Sequence, residues 1–503
     1  MSTASLRLDP THTIGPVKRR LFGSFVEHMG RCVYGGVYDP QDPAANDDGF
    51  RTDVMELTKE MGVSVVRYPG GNFVSGYLWE DGVGPKEDRP VRLDLAWRSI
   101  ETNQFGLNEF MSWVAAVDAE PMMATNLGTR GVLDAAHLVE YCNYAGQSTL
   151  ANWRREHGVE NPHNISLWCL GNEMDGPWQI GHKTADEYGR LAQETAKAIR
   201  LVDPNVTLVA CGSSFEEMPT FGQWERTVLR HTFDDVDLIS LHAYYEKYDD
   251  DLASFLASSA RMNRFIAGVV QAADEIAAEK GSDKIINLSF DEWNVWYQKR
   301  FPGPHALEWE QARKLIEDEF TVEDAVVVGS LLMTLLNNVD RIDVACQAQL
   351  VNVIGPIRTE PGVPAWRQTI FYPFSLTAKY AQGVVLRPDI TCPSHNTELM
   401  DNVPLVDATV TADEESGRVS VFLLNRSVDT DIPVTIDLSA FGPLRVDVTA
   451  RLGGKDLLAT NSADDPLRVI PDEFAIDSLS QGQLVLTLPA ASWNMISLAG
   501  DDV

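Results

Sequence analysis

ISLWCLGNE, residues 165–173, reads as a short apolar strand that stops on two polar side chains, Asn172 and Glu173. Toward the C-terminus, ADEYGRLAQETAKAIRLV (185–202) has the spacing of an amphipathic helix, and VTLVAC (206–211) is a second apolar strand. A strand, a helix and a strand, with the strands apolar on both faces, is the repeating unit of a parallel sheet covered by helices. The alternation continues in both directions. Further strands are predicted at 21–26, 64–68, 121–126, 236–242, 285–291 and 342–347, which makes eight. Helical patterns fill 53–61, 252–280 and 323–338, and the long one stops at Gly281, a helix-ending residue. Over residues 18–384 this pattern predicts an α/β fold of the (β/α)8 TIM-barrel type, with a doubly wound open sheet as the competing arrangement.

After residue 385 the helical spacing ends. Short alternating runs replace it at 404–411, 418–425, 432–438, 444–450, 483–488 and 493–498, separated by turn-rich stretches. They predict an all-β sandwich over 385–503, joined by the strand-like SLRLD (5–9) from the N-terminal segment 1–17.

The 503 residues carry 73 Asp and Glu against 41 Lys and Arg, a formal net charge of −32. Such a surface repels phosphate, which argues against nucleic acid and anionic membrane as partners and favours neutral or cationic substrates. The start of the chain has no basic-then-apolar leader, and no run of about 18 apolar residues occurs. The six cysteines are scattered and read as reduced thiols. These features predict a cytoplasmic protein. The ten histidines form no His-X-His or His-Glu-X-X-His pattern, and there is no serine-hydrolase elbow, Walker loop or dinucleotide fingerprint. Neither a metal nor a cofactor is implied.

Active sites of TIM-type barrels sit at the C-terminal strand ends. The residues found there are Glu27, Arg67, Asn72, Asn126, Asn172, Glu173, His242, Tyr244, Glu292, Trp296, Gln347 and Gln349. Carboxylates, amides and aromatics suit hydroxyl-rich ligands, whose oxygens need fixed partners and whose C–H faces need apolar walls. Glu173 and Glu292 end the fourth and seventh strands, 292 − 173 = 119 residues apart, and these strands are expected to lie across the barrel from each other. One carboxylic acid and one carboxylate are what glycosidic cleavage requires. Two unrelated surface glutamates are the simpler alternative. Asp175 and Asp291, which flank the pair, read as supporting or loop residues.

With these residues in place, the chain resembles the α-L-arabinofuranosidases of glycoside hydrolase family 51 along nearly its whole length. The segments that carry the resemblance include FGSFVEHMGRCVYGGVYDP (22–40), VVRYPGGNFVSGYLWEDGVGP (65–85), LAWRSIETNQFGLNEFM (95–111), WCLGNEMDGPWQIGH (168–182), SLHAYY (240–245), FDEWNVWY (290–297) and AQLVNVIGPI (348–357). The resemblance implies a retaining, exo-acting enzyme that releases terminal arabinofuranosyl units from arabinan or arabinoxylan oligosaccharides. It implies Glu292 as nucleophile and Glu173 as acid/base. It assigns Asn172 to the sugar 2-hydroxyl, Glu27, Asn72 and Gln349 to other sugar oxygens, and Trp97 and Trp296 to the pocket walls. Arg67 and Tyr244 are expected to hold Glu292, and His242 to bond near the catalytic pair. A homo-oligomer, often a hexamer in the family, is implied as well. Two other readings remain open: a related barrel glycosidase such as a β-xylosidase or endoglucanase, and a carbohydrate-binding barrel without catalysis.

Overall fold

The computed structural model describes residues 3–500. Eight parallel strands close into a barrel in chain order: Gly23–Phe25, Val65–Tyr68, Glu120–Ala124, Leu167–Leu170, Thr207–Ala210, Leu238–Tyr245, Asn287–Val295 and Ile342–Ala348. They are called strands one to eight below. Strand eight pairs with strand one, Cys346 opposite Gly23, and this closure excludes the open doubly wound sheet. Phe25, Val65, Met122, Leu167, Leu238 and Val344 belong to one buried cluster that fills the interior, so the barrel is packed and is not a pore. All six cysteines are free thiols, five of them buried.

Counting around the ring, strands four and seven are three places apart, with five and six between them. They are not opposite, as the expectation from sequence had them. An eight-membered ring puts diametric partners four places apart, and counting strands along the chain gave no check on that.

The helix Val322–Asn337 is buried on nearly every side. It packs against the helices Ser258–Lys280 and Phe371–Tyr380 and against strands of the C-terminal sheet. That double burial explains why its sequence lacks a polar face. Gly329 lies where the indole of Trp493 crosses the helix, and an added Cβ would stand 2.5 Å from Trp493 Cδ1. Gly329→Val is therefore expected to overpack this junction and lower stability by about 2–3 kcal/mol. Calorimetry reads this as a lower Tm, and an unchanged Tm would contradict the packing argument.

Two sheets follow the barrel. One holds six strands in the order Thr13–Pro16, Val384–Leu386, Val406–Asp413, Arg418–Asn425, Ser492–Gly500 and Leu444–Gly453. The other holds five: Asp389–Thr391, Ala4–Arg7, Ile432–Asp437, Gln483–Leu488 and Ser478–Ser480. Their inner faces share a core that includes Leu6, Val410, Val421, Val434, Leu486 and Ile496. The N-terminal segment gives one strand to each sheet, whereas the sequence pointed to one strand only. Val384–Leu386 also crosses the expected boundary between residues 384 and 385.

The expected helix at 252–280 is two helices, Leu252–Leu256 and Ser258–Lys280. Ala257 between them has φ −84° and ψ 0°, which leaves the helical region and interrupts the hydrogen-bond ladder. Among the described residues, no helix is long and apolar enough to cross a membrane.

Candidate active site

Strand four ends at Leu170, and the chain turns sharply through Gly171, φ +92°. Glu173 follows at φ +44°, in the left-handed region that side chains disfavour. Holding a glutamate there costs about 1–3 kcal/mol, which the surrounding contacts must offset. Two side chains hold its carboxyl. His242 Nδ1 lies 3.0 Å from Oε1, and the Trp178 indole N–H donates to Oε2 at 2.6 Å.

Glu292 lies within strand seven. The register of this strand is irregular on both sides, between Ser240 and His242 on strand six and between Phe290 and Trp293 against strand eight. A bulge breaks strict alternation, so neighbouring side chains can turn to the same face. Asp291 and Glu292 both reach the interior network. Arg67 on strand two donates to Glu292 Oε1 at 2.6 Å and to Asn172 Oδ1 at 2.7 Å. Tyr244 donates its hydroxyl to Glu292 Oε2 at 2.7 Å. His242 Nε2 lies 2.8 Å from Asp291 Oδ1.

His242 therefore faces carboxylates with both ring nitrogens. Ionised carboxylates only accept hydrogen bonds, so the doubly protonated imidazolium fits this setting. Burial works against that charge, but Glu292, Asp291 and Glu173 outweigh it and push the imidazole up to about 10. Asp291 is buried as well, which disfavours its charge. Arg67 and His242 reverse that and hold its carboxyl below the usual range. Burial and the nearby Glu292 raise the phenol of Tyr244 well above its ordinary value, so it remains a donor.

Deeper in the cavity stands Glu27, just past strand one. Oε1 accepts the Phe73 backbone N–H at 3.0 Å and the Trp97 indole N–H at 2.8 Å, and Oε2 accepts from Gln349 at 3.0 Å. Burial, followed by the charge of Glu292, pushes its carboxyl up to about 8 despite these donors. Gly71 makes room for it. A Cβ there would lie 2.4 Å from Glu27 Oε2. Gly71→Ala is expected to displace Glu27 and raise KM about tenfold or more. Initial rates measure this, and an unchanged KM would remove Glu27 from the binding site.

The structure brings all these residues around one cavity of about 690 Å³, or directly behind it. Glu27, Asn72, Trp97, Glu173, Tyr244, Glu292, Trp296 and Gln349 line it. Arg67, Asn172 and His242 are buried behind the carboxylates. Asn72 and Trp296 are half-buried, and the Trp296 ring meets Tyr244 edge-on at 5.1 Å. Asn126 turns away from Glu173 and Glu292 to bond Tyr77 O and Thr129, and Gln347 bonds Asn294. Asp175 accepts from Ser214 and takes no part in the network.

Sequence reasoning missed Trp178 as a partner of Glu173. It stands five residues downstream, in the segment quoted above, but nothing in its spacing says that the loop folds back. Glu173, His242 and Glu292 each offer a donor atom within 4.8 Å of the others. Those atoms could bracket a cation only if His242 gave up its proton and its carboxylate contacts, so the donor set fits a proton network better than a metal.

The family model described as the alpha-L-arabinofuranosidase 1 domain matches residues 57–255. The model described as the alpha-L-arabinofuranosidase C-terminal domain matches residues 291–492. An "intracellular exo-alpha-(1->5)-L-arabinofuranosidase" of Streptomyces lividans is 54% identical over 502 residues, covering 99% of this chain and 76% of the relative. An "exo-alpha-(1->6)-L-arabinofuranosidase" of Bifidobacterium longum is 49% identical, covering 99% of this chain and 97% of the relative. A solved family 51 alpha-L-arabinofuranosidase from Bifidobacterium longum superposes with a TM-score of 0.95 at 46% identity, covering 99% of both chains. Barrel, paired sheets and full-length similarity agree: the chain belongs to the α-L-arabinofuranosidases of glycoside hydrolase family 51.

Proposed function

We propose that the chain removes single non-reducing arabinofuranosyl units by double displacement, with Glu292 as nucleophile and Glu173 as acid/base. The observation that carries this reading is the close approach of the two carboxyls: one oxygen of Glu173 lies within 4.8 Å of one oxygen of Glu292, which supports the short, retaining arrangement. Retaining glycosidases hold their pair about 5–5.5 Å apart, whereas inverting ones need about 6.5–9.5 Å to admit a water. In the first step Glu292 attacks the anomeric carbon while Glu173 protonates the departing oxygen. In the second step Glu173 takes a proton from water, which then releases the sugar with its starting configuration.

Arg67 and Tyr244 hold Glu292 in line and spread its charge. The fixed Arg67 contact to Asn172 Oδ1 leaves the amide N–H₂ as donor: one N–H approaches Gln179 Oε1 at 3.4 Å, and the other is assigned to the 2-hydroxyl. Glu27, Asn72 and Gln349 are assigned to the remaining sugar oxygens, and Trp97 and Trp296 to the apolar walls. The relatives named intracellular support a cytoplasmic location and imported oligosaccharides as substrates. The name of the 54% identical relative makes 1→5-linked arabino-oligosaccharides the first substrates to try. The name of the Bifidobacterium longum relative makes 1→6 linkages the second. Homo-oligomerisation stays within the proposal, with light scattering as its test.

Initial rates on 4-nitrophenyl α-L-arabinofuranoside beside the β-D-xyloside and β-D-glucoside test the sugar, and NMR of the first-formed anomer tests retention. Preference for a pyranoside would overturn the arabinofuranosidase reading. An inverted product would overturn the mechanism.

His242 offers a separate check. Its imidazolium bonds Glu173 and Asp291, and loss of a buried positive charge in general moves an acid–base profile upward. His242→Gln is expected to move both limbs of the pH–rate profile to higher pH, by about one unit. A profile that keeps its position would mean that the imidazole carries no charge there.

A further inference from the structure

Among the described residues that line the catalytic cavity, all but one come from the barrel. The exception is Leu399. It sits on the tip between two short paired strands, Ser394–His395 and Val403–Pro404, inserted among the sandwich strands.

This tip is firmly built. Thr397 N–H donates to Met400 O at 2.8 Å, Met400 N–H to Thr397 Oγ1 at 3.0 Å and Asn402 N–H to Asn396 Oδ1 at 2.8 Å. Its base is tied to the barrel by one buried guanidinium. Arg426 donates to Pro404 O at 2.9 Å and to Ser259 Oγ, on the helix Ser258–Lys280, at 2.7 Å. The hairpin is thus held in register with the pocket it overhangs.

Leu399 stands beside Met400 in an otherwise polar turn, NTELMDN, and 45% of its surface is exposed. A single exposed leucine elsewhere would need no explanation. This one faces the cavity together with two other exposed apolar groups, Trp178 at 44% and Tyr248 at 39%, and with Phe215, whose ring stacks on Trp178 at 6.0 Å. The buried end of the cavity, around Glu27, Gln349 and Trp97, is where hydrogen-bonding groups are fixed. The exposed end presents these carbon faces beside the ion pair of Arg261 and Glu217. A terminal sugar held at the buried end leaves the next sugar of the chain at the exposed end, where its C–H face needs an apolar wall.

We propose that Leu399, supplied by the sandwich hairpin, is a specificity residue for the leaving group and packs against the sugar unit that departs. This rests on the reading of the cavity as an arabinofuranosidase site. It gives the C-terminal sheets a share in substrate choice, although every reacting group stands on the barrel.

The test compares wild type, Leu399→Ser and Leu399→Met on α-1,5-arabinotriose and on methyl α-L-arabinofuranoside, whose leaving group is too small to reach the hairpin. Expected for Leu399→Ser is a KM for the trisaccharide raised about three- to tenfold with kcat nearly unchanged, and no change on the methyl glycoside. Leu399→Met is expected to restore the trisaccharide KM. Equal losses on both substrates, or no loss on either, would overturn the proposal. If wild type hydrolyses neither substrate, the arabinofuranosidase reading beneath it fails instead.

Discussion

Glu292→Ala is expected to lower kcat on 4-nitrophenyl α-L-arabinofuranoside by at least about 10⁴-fold, because no other group can make the covalent intermediate. The nitrophenolate leaving group needs no proton, so this substrate isolates the loss of the nucleophile from any effect on Glu173. The space left behind is lined by Arg67 and Tyr244, both of which lose a hydrogen-bond acceptor. A small anion such as azide can occupy it and attack the sugar in one displacement. The expected product is the glycosyl azide of inverted configuration. Retention in that product, or a loss below about tenfold, would remove Glu292 from the nucleophile's role.

Glu173→Ala is expected to separate substrates by their leaving groups. Alkyl and sugar leaving groups need protonation and should slow by about 10²–10⁴-fold. Nitrophenolate departs unaided, so the first step should survive, and the slow second step should be rescued by azide to give a product of retained configuration. The opposite stereochemistry of the two azide products distinguishes the roles within one pair of experiments. Equal loss on all substrates, with no rescue, would assign Glu173 a merely structural part. The same variant removes the acceptor of the Trp178 indole and one partner of His242, so the loop after strand four should also loosen.

Much of this was legible before any coordinates. Barrel strands announce themselves because both faces are buried, and ISLWCLG and IINLSF carry the signal with no charged residue and only small polar ones. The ends of those strands are equally legible, since a glutamate that closes an apolar run has few reasons to be there. What the sequence could not convey was direction. Asp291 and Glu292 are adjacent, and strict alternation would send them to opposite faces. Only the irregular register of strand seven turns both inward. The Trp178 contact depends on a loop returning over five residues, and Leu399 reaches the cavity that Glu173 lines from 226 residues further along the chain (399 − 173). No periodicity encodes either. The twin contribution of the N-terminus was half-read for a related reason: TIGP (13–16) is short and itself ends on Pro16, so it does not look like a strand without its partner Val384–Leu386.

That partnership governs how the molecule can come to be made. Ala4–Arg7 lies parallel to Ile432–Asp437, and about 430 residues of chain must be synthesised between them. At roughly 5–20 residues per second, the first strand leaves the ribosome about 20–90 s before its partner exists. Until Asp389–Thr391 and then Ile432–Asp437 emerge, the edges of this strand are unsatisfied and open to improper pairing. The barrel can assemble as its strands appear, but neither sheet can be completed until the strands beyond residue 430 have been made. The two sheets thus act as a late seal beside a barrel that is already built.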